Sequence, residues 1–154
     1  MTAKGDQTRW IRGTIRLTRH YDRRSALMAL SPKQARTALI GLRAAIGAGA
    51  WLAPEKTARL FGISLDENIA GPFLGRLFGA RDIAMALMVS AAEPTEQRRQ
   101  LRVGIVVDSL DATAAIIAGT KGRLTRRSAA MAASVALVAA GLGVMAQMGQ
   151  AEVE

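Results

Sequence analysis

The chain has 154 residues, half of them hydrophobic, and a net charge of +9. It lacks cysteine, which excludes disulfides, iron–sulfur clusters and thiol catalysis. Its one histidine, His20, lies outside every apolar run, which excludes a His-ligated metal or haem among them.

In a soluble protein a charge of this size would suggest nucleic acid as partner. The distribution of the charge argues otherwise. Arginine outnumbers lysine 17 to 4 in an Ala- and Gly-rich chain, and the basic residues flank long apolar runs. Loop cations anchor membrane spans in this way. The length suits one domain. The expected fold class is therefore all-α, a four-helix transmembrane bundle with a basic N-terminal arm. The expected partners are the lipid bilayer and a membrane protein or a second copy of this chain, not nucleic acid. No cofactor is expected.

Residues 1–36 are polar and basic. Arg9, Arg12, Arg16, Arg19 and Arg23 recur at helical spacing, with Trp10, Leu17 and Tyr21 beside them. Such a stripe suits either an interfacial helix on anionic headgroups or a disordered basic tail that enforces topology. Translation starting at Met28 would remove most of it. No apolar core of signal-peptide type occurs in the first 30 residues, so insertion is expected to depend on the spans.

The first span is predicted over about 37–52. It contains Arg43 and a small-residue stripe, Gly41, Ala45 and Gly49, suited to close helix packing. Trp51 lies at its far end, where an indole suits the membrane interface. Pro54 ends the span and opens a short surface helix that closes at Gly62. The second span, about 73–92, carries Arg76, Arg81 and Asp82. Gly71, Gly75 and Gly79 make a double GxxxG repeat for helix packing, and Asp82 and Ala86 continue its stripe. Arg76 is placed to snorkel to the headgroups.

A polar loop, Thr95 to Gln100, leads to the third span, about 101–119. Asp108 and Asp111 lie at its centre, three residues apart and so on one face. After a basic loop, an uncharged fourth span covers about 128–148, and 149–154 is a polar tail. With the N-terminus inside, 12 basic residues outside the spans face the cytoplasm and 6 face out, so a cytoplasmic N-terminus is expected.

Three cations, Arg43, Arg76 and Arg81, and three anions, Asp82, Asp108 and Asp111, sum to zero within the spans. One charge at mid-membrane costs about 2.5–3.5 kcal/mol on insertion scales, so these groups must face inward and pair. The expected network joins Arg81 to Asp108 or Asp111, and Arg43 to Asp82 or the remaining aspartate. Arg81→Ala is then expected to damage folding first. The network is either a salt-bridge lattice that fixes helix register, or a chamber for a small polar or anionic solute or for protons. Neither a GxSxG, an HExxH, a P-loop nor a dinucleotide fingerprint is present, and the methionines read as apolar fillers. No enzymatic activity is expected.

Ala53-Pro54-Glu55, Gly79-Ala80-Arg81-Asp82-Ile83-Ala84 and Asp108-Ser109-Leu110-Asp111-Ala112 together resemble a family of small bacterial integral membrane proteins of unknown function, with a DoxX-like four-helix layout. The resemblance covers about 37–148. It implies four helices in the bacterial cell (inner or plasma) membrane and carries over no activity, since none is established for the family. DoxX-like proteins include accessory subunits of membrane oxidoreductases, and with no redox ligand here only an accessory role would transfer. The function expected first is a structural or accessory component of a membrane assembly. The alternative is a binding or transport module built on the Arg/Asp network.

Overall fold

The chain has four prolines, and each occupies the first or second position of a helix. Proline is favoured there because its missing N–H has no helical partner to lose. In a computed structural model, which describes residues 30–65 and 69–148, the resulting helices are α1 (Pro32–Leu52), α2 (Pro54–Leu60), α3 (Gly71–Ala91), α4 (Pro94–Thr120) and α5 (Arg126–Met148). Among the described residues there is no strand. The arginine stripe from Arg9 to Arg23 and the tail at 149–154 lie outside the described residues.

Two boundaries differ from the sequence expectation. Helix α1 begins at Pro32, not near 37, because Ser31 and Gln34 form a capping box. The Ser31 hydroxyl accepts from the Gln34 backbone N–H at 3.3 Å, and the Gln34 side chain accepts from the Ser31 N–H at 2.9 Å. Helix α4 begins at Pro94, so the segment expected as a polar loop is its first turns. Glu93 in extended conformation and Pro94 start it almost directly from the end of α3.

Helices α2 and α4 stop at glycines with left-handed backbone, Gly62 (φ 71°) and Gly122 (φ 68°). Past Gly62, the Ile63 N–H donates to the Ala58 carbonyl at 2.9 Å. Ser128 donates to the Gly62 carbonyl at 2.9 Å and so ties the end of α2 to the start of α5. At the opposite end Gln97 clamps three helices. Its amide donates to the Val89 carbonyl in the last turn of α3 at 2.9 Å, and its oxygen accepts from Arg36 of α1 at 2.7 Å. One otherwise unpaired helix-end carbonyl is thereby satisfied.

Helix α1 packs against α3 and α5, and α4 packs against α5, whereas α3 and α4 touch far less. The closest approach joins α1 and α3 at Gly47 and Gly79. A Cβ on Gly79 would sit 2.6 Å from the Gly47 carbonyl oxygen and 2.8 Å from the Trp51 nitrogen. Gly41, expected in the packing stripe of the first span, instead meets nothing within 4 Å, and Ala45 is exposed. Helix α1 turns Arg43 inward instead, where it pairs with Asp108.

The interior combines small, charged and a few larger apolar residues. Ala35, Ala50, Ala86, Ala112 and Ala133 are buried, and so are Arg43, Asp82, Gln97, Asp108 and Ser128, while Leu39, Val89 and Leu101 are fully buried in an apolar cluster. Many large apolar side chains point the other way: Phe73, Leu74, Leu77, Leu87, Val106, Leu110, Leu137 and Val138 are all more than half exposed. Among the described residues one helix, α5, is long and apolar enough to cross a membrane by length and composition.

Candidate functional site

Helical periodicity brings five charged residues to the centre of this interior. On α1 the buried positions are Ala35, Leu39, Arg43, Gly47 and Ala50, one stripe at spacings of three and four with Arg43 in its middle. On α3, Gly71, Gly79, Asp82, Ala86 and Val89 are buried. On α4 the stripe is Gln97, Leu101, Gly104, Asp108, Ala112 and Ala115. Asp111, three residues beyond Asp108, lies at the edge of that stripe.

Arg43 donates from Nη2 to Asp108 Oδ2 at 2.7 Å, and the two side chains are only 4% and 8% exposed. The guanidinium lies against Gly104: a Cβ there would be 2.6 Å from Nη2 and 2.9 Å from Nη1. Arg43 Nε has no hydrogen-bond partner.

Arg81 sits between two carboxylates. Its Nη1 and Nη2 donate to the two oxygens of Asp111 at 3.0 and 2.7 Å, a bidentate pair. Its Nη2 also donates to Asp82 Oδ1 at 3.0 Å. The guanidinium carbon lies 4.4 Å from the centroid of the Phe78 ring, within cation–π range. About a third of the Arg81 and Asp111 side chains is exposed, against 9% of Asp82. Arg76 is exposed on α3 and joins neither group.

These groups line a cavity of about 490 Å³. Arg43, Arg81, Asp82, Asp108 and Asp111 are its only charged lining residues, among the described residues. The remaining wall is almost entirely apolar. It includes Leu42 and Ile46 from α1, Pro54 from α2, Phe61 and Leu65 from the following loop, Leu74 and Phe78 from α3, and Ala132, Val135 and Ala136 from α5. Gly71 and Gly75 also face it, in contact range of Leu65 and Pro54 respectively. The cavity size falls within the range that holds small organic ligands, and a few polar groups in an apolar pocket are the usual means of orienting one.

Four residues that shape the site and its surroundings have weak sequence signals. Gly104 and Gly47 are single glycines outside any repeat, and only the packing reveals what each admits. Gln97 and Arg36 fall in segments that read as polar flanks. The capping box and the proline at 94 were the local signals that extended α1 and α4 to include them.

The family model for a domain of unknown function, DUF4267, matches residues 41–146. The chain belongs to this family. No curated protein and no solved structure matches it. The DUF4267 segment contains every charged residue of the cavity among the described residues, Gly47 and Gly79 of the close helix approach, and Gln97 with its Val89 partner, but not Arg36.

Proposed function

We propose that the chain is a multi-pass membrane protein whose cavity binds an amphiphilic small molecule. The cavity of about 490 Å³ carries the binding part of this proposal: its apolar lining suits a hydrocarbon or aromatic body, and its charged lining residues suit a polar head. The burial pattern supports the membrane part. Water-soluble monomers rarely leave broad apolar surfaces uncovered. Helices in lipid instead associate through small residues and turn their polar groups inward. At about 1.5 Å per residue, the 21 residues of α1 and of α3 span roughly 30 Å, the thickness of a bilayer core.

The cations of the described chain support the same placement. Lys33, Arg36, Arg98, Arg99 and Arg102 gather at the Gln97 end, and Lys56, Arg59, Lys121, Arg123, Arg126 and Arg127 at the Ser128 end. Between these basic rims the outer face is largely apolar, with Arg76 exposed in the second turn of α3, and Trp51 lies near one rim. A ligand-binding role accounts for the cavity, which a purely structural or accessory role does not require.

Native mass spectrometry of the full chain, extracted from its own membranes in mild detergent, tests the proposal. The expected result is a bound small molecule that disappears in the cavity-filling variant Ala136→Trp. An identical adduct on Ala136→Trp, or no adduct on either protein, would refute ligand binding in this cavity. A bound protein subunit in its place would favour the accessory role. Release of the chain into the aqueous phase by carbonate would overturn the membrane placement.

A further inference from the structure

The charges around the cavity do not balance. Arg43 and Asp108 cancel as a buried pair at 2.7 Å. Arg81 is then left to neutralise both Asp82 and Asp111. Among the described residues the lining therefore holds two guanidiniums against three carboxylates, an excess of one negative charge. Arg76, which the sequence sum includes, is exposed and does not line the cavity.

We propose that the cavity selects an organic monocation with an apolar body, and that this cation and a proton occupy it in turn. This rests on the binding role proposed above and names its ligand class. An anionic ligand would raise the excess to two, and a neutral one would leave it uncompensated in surroundings that solvate charge poorly. A monocation removes it. The apolar lining also suits such a ligand, since Phe61 offers an aromatic ring and Leu42, Ile46 and Leu74 offer apolar surface.

A proton on one carboxylate removes the same excess, so proton and cation compete. The groups facing Asp82 are Arg81 on its own helix, Arg43 on α1, and Asp108 and Asp111 on α4. Helix α5 presents only Ala132, Val135, Ala136 and Ala139 there, and α2 only Pro54, Thr57 and Ala58, so neither supplies a further charge.

Two probes of matched shape and opposite charge test this: tetraphenylphosphonium and tetraphenylborate, with triphenylmethanol as a neutral third. Equilibrium dialysis would use the full chain in nanodiscs of phosphatidylcholine, whose zwitterionic headgroups do not concentrate either ion. Saturable binding of tetraphenylphosphonium, about one per chain, is expected, with none for tetraphenylborate. Its affinity should fall by up to about tenfold per pH unit on the acid side, with release of about one proton per cation bound in weak buffer. Asp82→Asn or Asp111→Asn should weaken cation binding about tenfold or more, and Arg76→Gln should not change it.

Size-exclusion profile and thermal unfolding show which carboxylate variant has folded, and either one suffices. Saturable tetraphenylborate binding without phosphonium binding would overturn the charge assignment. So would phosphonium binding that a folded carboxylate variant leaves unchanged. Cation binding independent of pH would overturn the proton exchange. Saturable binding of triphenylmethanol alone would remove the cation preference and keep the cavity as a ligand site, whereas no binding of any probe would refute both.

Discussion

Arg43 with Asp108, and Arg81 with Asp82 and Asp111, use the same two functional groups in different settings. The first is a one-to-one pair with side chains 4% and 8% exposed. The second shares one guanidinium between two carboxylates, and Arg81 and Asp111 are each about a third exposed. A pair sealed from solvent is costly to break, because the surviving partner becomes an unpaired buried charge. A cluster that opens onto a cavity can exchange partners with whatever enters. Under the proposed binding role, the contrast gives helix registration to Arg43 and ligand contact to the Arg81 cluster.

The sharpest way to break that contrast is to remove Arg43. Arg43→Met should cost about 3–5 kcal/mol by stranding Asp108, or prevent accumulation of folded protein altogether. Unfolding in mixed micelles measures the loss, and a loss below that of Arg81→Ala would reverse the assignment. Gly79→Ala comes next. Its Cβ would lie 2.6 Å from a backbone oxygen of α1, which cannot rotate away, so about 1–3 kcal/mol should be lost as the two helices separate.

Gly104→Ala tests the buried pair indirectly. The Cβ would displace the Arg43 guanidinium, whose side chain can give somewhat, so a loss towards the lower end of about 1–3 kcal/mol is expected. Restored stability in the double variant Arg43→Met, Gly104→Ala, relative to the sum of the single losses, would show that the two residues act through one contact. Arg81→Ala leaves Asp82 and Asp111 without their guanidinium but with access to the cavity, so its loss should be about 1–2 kcal/mol. The smallest effect belongs to Asp111→Asn, about 1 kcal/mol or less, because the carboxylate is partly exposed and the amide still accepts from Arg81. If Asp111→Asn proved as damaging as Arg43→Met, the cluster would be structural after all.

Local signals in the sequence account for much of the helical layout. Four prolines mark four helix starts, and Gly62 and Gly122 mark two ends. The five charged residues of the site could also be singled out as residues that an apolar segment would not carry on an outward face. Polar residues obscured the start of α4, where Pro94 reads equally well as the end of one helix and the beginning of the next. The capping pattern Ser31-Pro32-Lys33-Gln34 was legible in principle, but it sat inside a segment whose charge made it look like a tail.

What the sequence determined by itself was the set of helices and the chemistry available to them, because caps, prolines and apolar periodicity act over a few residues. Tertiary structure decided which way each helix faces and which charges meet. Arg43 finds Asp108 across 65 residues, and Arg81 finds Asp111 across 30, through contacts that no local pattern encodes. The same packing leaves Arg76 outside and turns a neutral sum of charges into a cavity with one carboxylate in excess. Charge balance inside a protein depends on which groups share a space, and only the packing of the helices defines that space.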